Sequence, residues 1–103
     1  GVINTGQYGG YVSIPFSGYI SGWDIFSSTS GTCTIDTWKS TYAAFPPTVA
    51  NTIWGVKPSL SNAMKNTASG LSIPVSIGDI FTWNVDSNTA STFVSVLLKI
   101  VKT

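Results

Sequence analysis

Apolar and polar residues alternate along most of this chain, and the period of two marks strands rather than helices. Val12, Ile14 and Phe16 interleave with Tyr11, Ser13 and Pro15, which places one apolar set on a single face. Pro15 has no N–H to give a neighbour, so this segment reads as an edge that turns at Ser17-Gly18. Residues 19–27 alternate again, with Tyr19, Trp23 and Ile25 on one face, Ile20, Asp24 and Phe26 on the other, and Gly22 at a bulge. Ser28-Thr29-Ser30-Gly31 reads as the next turn, and residues 32–39 as a third strand whose Cys33, Ile35 and Thr37 share a face.

Residues 40–72 differ in kind, being rich in Ser, Thr, Ala, Asn and Pro, and read as long connections. Within them Phe45-Pro46-Pro47-Thr48 is a rigid corner, residues 52–55 form a short strand, and residues 59–65 form a helical turn capped by Ser59 or Ser61. Leu71, Ile73 and Val75 then mark another edge strand, closed by a turn at Ile77-Gly78-Asp79. Residues 79–86 place Phe81, Trp83 and Val85 on one face, and Asp86-Ser87-Asn88-Thr89 turns the chain back as a hairpin into a last strand over residues 91–102. That strand aligns Val94, Val96, Leu98 and Ile100 on one side, while Phe93, Leu97 and Val101 make its other side too apolar for open water. About seven or eight short strands at this spacing predict an all-β fold, an antiparallel β-sandwich or jelly roll.

A chain of 103 residues makes one domain, spanning residues 1–103. Gly1 in place of Met implies a piece processed or excised from a longer protein. Five lysines balance four aspartates to a net charge of +1, and no stretch concentrates them as phosphate tracking requires, so nucleic acid is excluded as a partner. The longest apolar run, residues 96–101, is short and broken by Lys99, which predicts no membrane insertion. Cys33 stands alone, so no internal disulfide is possible, and its place in an alternating run reads as a small core residue.

The composition bears on chemistry. Histidine, glutamate and arginine are all absent, which removes most of the groups enzymes use for acid, base and anion work. The chain reads as a non-enzyme with no cofactor, no catalytic residue and no metal site. Asp79 and Asp86 flank turn residues and read as turn formers, while Asp24 and Asp36 lie in strands and read as solvent-facing, paired with lysine. A glycosidase would need two such carboxylates facing each other across a cleft. Serine is plentiful, but no base or nucleophile elbow accompanies it.

Aromatic residues are the better candidates. With 4 Trp, 4 Tyr and 5 Phe against 9% charged residues, the chain is built for packing and for offering flat apolar surfaces. Trp38, Tyr42, Phe45 and Trp54 fall at a strand end and in the long connections, where side chains stay accessible. Trp38, Tyr42 and Trp54 are the expected ligand-binding residues, stacking on sugar rings while Asp, Asn and Lys bond the hydroxyls. The competing expectation is that these rings cover the core or a subunit contact.

Three segments carry a resemblance: Trp38-Lys39-Ser40-Thr41-Tyr42-Ala43-Ala44-Phe45-Pro46-Pro47-Thr48, Gly78-Asp79-Ile80-Phe81-Thr82-Trp83-Asn84-Val85-Asp86-Ser87 and the closing residues 96–103. Together they resemble a module near the C-termini of virion and tail-fibre-like proteins of tailed bacteriophages. The resemblance implies a compact β-sandwich displayed on the virion surface, repeated around a three-fold axis as a homo-trimer, and attached to a bacterial surface glycan. It brings no catalytic residues. Alternatives are a carbohydrate-binding module of an extracellular bacterial glycoside hydrolase and a purely structural trimerisation or capsid-decoration domain.

Overall fold

The computed structural model describes residues 2–103. It is antiparallel β throughout, with strands β1 (Gly6–Ser13), β2 (Gly18–Ser40), β3 (Ser59–Ala68), β4 (Ile73–Val75), β5 (Ile80–Asn88) and β6 (Val94–Lys102), and one 3-10 turn at Val49–Asn51. Six strands replace the expected seven or eight. Hydrogen bonding joins all of them into one antiparallel sheet.

The reduction comes from β2. Its 23 residues run through the expected turn at Ser28-Thr29-Ser30-Gly31 without a break. One edge of β2 pairs first with β6, over residues 18–27, and then with β5, over residues 33–40. The opposite edge pairs with β4 over residues 18–20 and with β3 over residues 23–34. The Ser-Thr-Ser-Gly stretch is where the change of partners happens. Register against β3 slips there, because the five steps from Phe26 to Gly31 on β2 match only two from Lys65 to Ala63 on β3. Extra residues on one strand bend it, so the stretch is a bulged corner of one strand rather than a connection between two.

The same corner undoes the expected hairpin. β5 and β6 follow each other in the chain but pair with different halves of β2 and not with each other. Their link is fastened to the corner: Thr89 N–H donates to Thr32 O at 2.9 Å, Ser28 N–H donates to Phe93 O at 3.2 Å, and the Ser27 hydroxyl donates to Ser91 Oγ at 3.1 Å. Ser91 is fully buried against Gly31, where a Cβ would meet its Oγ at 2.7 Å.

Residues 59–65 are strand, not helical turn. Ser59, Leu60 and Ala63 pair with Thr34, Cys33 and Gly31, and a polar edge strand that finds a partner needs no helical propensity. The short strand at residues 52–55 shrinks to one bridge between Trp38 and Thr52. The turn at Gly78 is present, with Gly78 at φ 89° and Ser76 N–H donating to Asp79 Oδ2 at 2.8 Å.

One core serves the whole sheet. It draws Ile20, Trp23 and Ile25 from the first half of β2, Cys33 and Ile35 from the second, and Phe81, Val85, Leu60, Val75, Ile14 and Trp54 from elsewhere. Val94, Val96, Leu98 and Ile100 of β6 pack against it, half-buried. Cys33 is a buried free thiol, as its alternation indicates, and burial pushes its pKa up, with a backbone hydrogen bond from Leu60 opposing.

Candidate functional site

Two groups of side chains gather where β2 ends, one polar and closed, the other aromatic and open. The polar one centres on Asp36, which has no solvent exposure and is not the solvent-facing residue its strand position indicates. Its Oδ1 accepts from Thr37 N–H at 2.8 Å and from the Thr52 hydroxyl, and its Oδ2 accepts from Trp38 Nε1 at 3.1 Å. Lys57 Nζ stands 3.4 Å from the same Oδ2 and 2.6 Å from Asp86 Oδ2, while Asn84 Nδ2 donates to Asp86 Oδ1 at 2.6 Å. Asp86 is thus a strand residue in an ion pair, not a turn former, because β5 continues past it to Asn88.

Lys57 has its pKa raised, chiefly by its bond to Asp86, with partial burial opposing and the charge of Asp36 adding to the rise. Both oxygens of Asp36 are engaged and its carboxylate is buried, while Lys57 and Asp86 stay partly exposed. The cluster's bonds through Thr52 and Lys57 tie residues 52–57 to Asp36 of β2 and Asp86 of β5. Asp79 pairs with Lys39 at 3.5 Å, and Asp24 pairs with Lys99 at 3.2 Å, as its alternation with lysine partners indicates. No cluster of metal-binding side chains occurs among the described residues.

The aromatic group occupies the loop that leaves β2. Register places Ser13 of β1, Ile80 of β5 and Ser40 of β2 in one row across the sheet, which brings the loop after Ser40 beside the end of β1. Tyr11 and Phe45 meet there edge to face, with ring centroids 4.8 Å apart and planes at 69°. Both rings remain exposed, and Gln7 Nε2 donates to Tyr11 Oη at 3.2 Å and to Thr82 Oγ1 at 3.1 Å. Tyr42 precedes Phe45 by one turn closed by Phe45 N–H on Tyr42 O at 3.4 Å, and it is 84% exposed. The Phe45–Pro46 bond is cis, and Thr41 Oγ1 accepts from Ala44 N–H at 3.2 Å.

Of the expected binding residues, Tyr42 is thus free, Trp38 is half-buried with its indole N–H committed to Asp36, and Trp54 is only 6% exposed, inside the core with its Nε1 unpartnered. Trp54 cannot stack on a ligand from that position, because the loop carrying it folds against β2 through Ile53 N–H on Thr37 O at 3.1 Å. Tyr11 escapes a reading of the sequence: its neighbour in space lies 34 positions away, and only the β1–β5–β2 strand order joins them. A second feature is an open apolar crevice of about 510 Å³, lined by Ile3, Tyr8, Gly9, Trp83, Val94 and Val96 among others.

Neither a scan against protein-family models nor searches of curated proteins and of solved structures give a match to this chain.

Proposed function

We propose that this chain is a non-enzymatic attachment module that presents an aromatic surface to carbohydrate on a bacterial cell and associates with further copies of itself. The single observation that carries the reading is the group formed by Tyr11, Tyr42 and Phe45. Tyr11 and Phe45 meet edge to face with Gln7 bonded to Tyr11, and Tyr42 is exposed in the same loop as Phe45. Flat apolar faces with a few hydrogen-bonding groups are what a sugar ring engages.

The resemblance to phage virion and tail-fibre-like modules supports placing the chain on a particle surface, as a sandwich-like or jelly-roll domain in a trimer. A carbohydrate-binding module of a bacterial glycoside hydrolase would use the same rings. A purely structural role is favoured instead by the apolar outer side of β6, where Phe93, Leu97 and Val101 are exposed.

A glycan array and a pull-down on bacterial cell walls test the reading. Tyr42→Ala and Phe45→Ala are expected to weaken binding about tenfold or more, the loss of a stacked ring at a contact centre. Trp38→Ala is expected to act less, through the lost support of Asp36. Binding by the unmodified chain that survives both ring deletions removes the loop from the site, and no binding to any glycan overturns the reading.

A further inference from the structure

The open edge of β6 separates this sheet from a self-sufficient one. Among the described residues β6 neighbours β2 alone, so its second edge is unpaired over the length of the strand. Ser28 N–H donates to Phe93 O and Thr103 N–H donates to Ser17 O, which turns the backbone groups of the odd positions toward β2. In an antiparallel ladder the alternate residues then point theirs the other way, so Val94, Val96, Leu98 and Ile100 offer N–H and C=O groups to the open side.

Other open edges carry devices that discourage pairing. β1 is broken by Gly9 and Gly10 at φ 80° and 61°, with a register shift between Tyr8 and Val12. β3 is polar, with Asn62 at φ 47° and Lys65 exposed. β6 has no such break: its nine residues hold no Gly or Pro, its one lysine within the central run, Lys99, is drawn to Asp24 of β2, and Leu97 is 50% exposed on its outer face beside Phe93, which precedes the strand and is 67% exposed. Such a strand is a template for another strand.

We infer that β6 pairs antiparallel with β6 of a second copy of this chain, about a two-fold axis at Leu97. The inference rests on the self-association in the proposed function and replaces its three-fold arrangement with a two-fold one. Side-chain matching favours the Leu97 register, since centring on Val96 or Leu98 would set Lys99 opposite Phe93 or Leu97. Centred on Leu97, the pairing sets Phe93 opposite Val101, Ser95 opposite Lys99 and Leu97 opposite itself on the outer face. On the inner face it sets Val94 opposite Ile100 and Val96 opposite Leu98. A register centred on Lys99 would bring two lysines together, which is destabilising. Because Val94 and Val96 also line the apolar crevice, Leu98 and Ile100 of the second copy fall at its mouth and shield it from water.

Sedimentation equilibrium of the full chain across about 1–100 μM tests this, with the mass read against the 10.9 kDa monomer. The unmodified chain is expected to be a dimer. Leu97→Lys and Leu97→Asp are each expected to dissociate it, weakening association about tenfold or more, and an equimolar mixture of the two to form the heterodimer. Ser95→Glu, placed opposite Lys99 twice per dimer, is expected to tighten association about fivefold. A monomeric or trimeric unmodified chain overturns the inference, as do Leu97 variants that associate as before, a mixture that fails to pair, or a Ser95→Glu chain that associates no better. Glycan binding by a strictly monomeric chain would sink this inference and spare the attachment reading; a dimer that binds no glycan would do the reverse.

Discussion

Lys57 Nζ lies 3.4 Å from Oδ2 of Asp36, a carboxylate with no contact with solvent. Removing the carboxylate leaves Thr37 N–H, Trp38 Nε1 and the Thr52 hydroxyl without their acceptor and Lys57 with Asp86 alone. Asp36→Ala is expected to lower the unfolding free energy by about 3–5 kcal/mol, the usual effect of breaking a buried, hydrogen-bonded charge. Asp36→Asn keeps the size but sets an NH2 against donors, and falls between. Lys57→Ala is expected to act least, because the lysine head is partly exposed and Asp36 retains three donors. Urea denaturation of the three variants gives the ranking.

The two surface ion pairs respond to pH in opposite directions. Thr67 Oγ1 donates to Asp24 Oδ1 at 2.6 Å and holds that carboxyl below its ordinary 3.8, with burial opposing and Lys99 assisting. A lowered folded-state pKa means that the contribution is complete above the ordinary value and is lost as pH falls through the folded one. The stability difference between the unmodified chain and Asp24→Asn is therefore expected to hold at neutral pH and to vanish in acid, below 3.8. Lys57 has its pKa raised above 10.5, first by Asp86. Its contribution is lost at the alkaline end only as pH rises past the folded pKa, so Lys57→Met should differ from the parent equally from neutral pH, where its carboxylate partners are ionised, up to about 9, well below the ordinary lysine pKa. Denaturant midpoints measured from acid to alkaline pH check both signs.

Gly22 stands where β2 bulges against β6, with Ala68 of β3 on its other side. A Cβ on Gly22 would lie 2.2 Å from Ala68 O, a backbone atom held by the sheet that cannot rotate away. Gly22→Ala is expected to destabilise by about 3 kcal/mol or more, through forced displacement of β3. Gly55→Ala, with open space around the same atom, is expected to change stability by less than about 0.5 kcal/mol. Thermal melts of the pair provide the comparison.

Much of this fold can be read from alternation, and the failures share one cause. Trp23, Ile25 and Ser27 before Ser28-Thr29-Ser30 and Gly31, Cys33, Ile35 and Thr37 after it are buried and odd-numbered, so the same parity resumes beyond residues 28–30, which are all exposed. Local turn chemistry argues for a break there; partners on both edges hold the strand together. The bulge at Gly22 is legible, but its effect on facing is not: the extra residue puts Ile20, rather than Tyr19, on the buried face with Trp23. In the same way Asp36 has the local signature of a wet strand position, and only the return of residues 52–57 over it closes the site. The aromatic loop was visible as a run of rings. Which rings stay outside was not, since that depends on the β1–β5–β2 order joining Tyr11 to Phe45.

Tyr42 and Trp54 divide the two fates of a large ring in this molecule. Trp54 packs within the core beside β2, and its deletion removes a large buried side chain and leaves a cavity. Trp54→Ala is expected to lower stability by about 3–5 kcal/mol, and any loss of glycan binding it causes should disappear at temperatures where the variant remains folded. Trp54→Phe, which also removes the unpartnered Nε1, should lose much less, because it keeps most of the buried ring and discards a donor that has no acceptor. Tyr42, with its ring in solvent, is expected to give up its side chain with a stability change within about 0.5 kcal/mol while abolishing its share of binding. A Tyr42→Ala chain that unfolds as readily as Trp54→Ala would place that ring in the framework, and the attachment surface would have to be sought away from this loop.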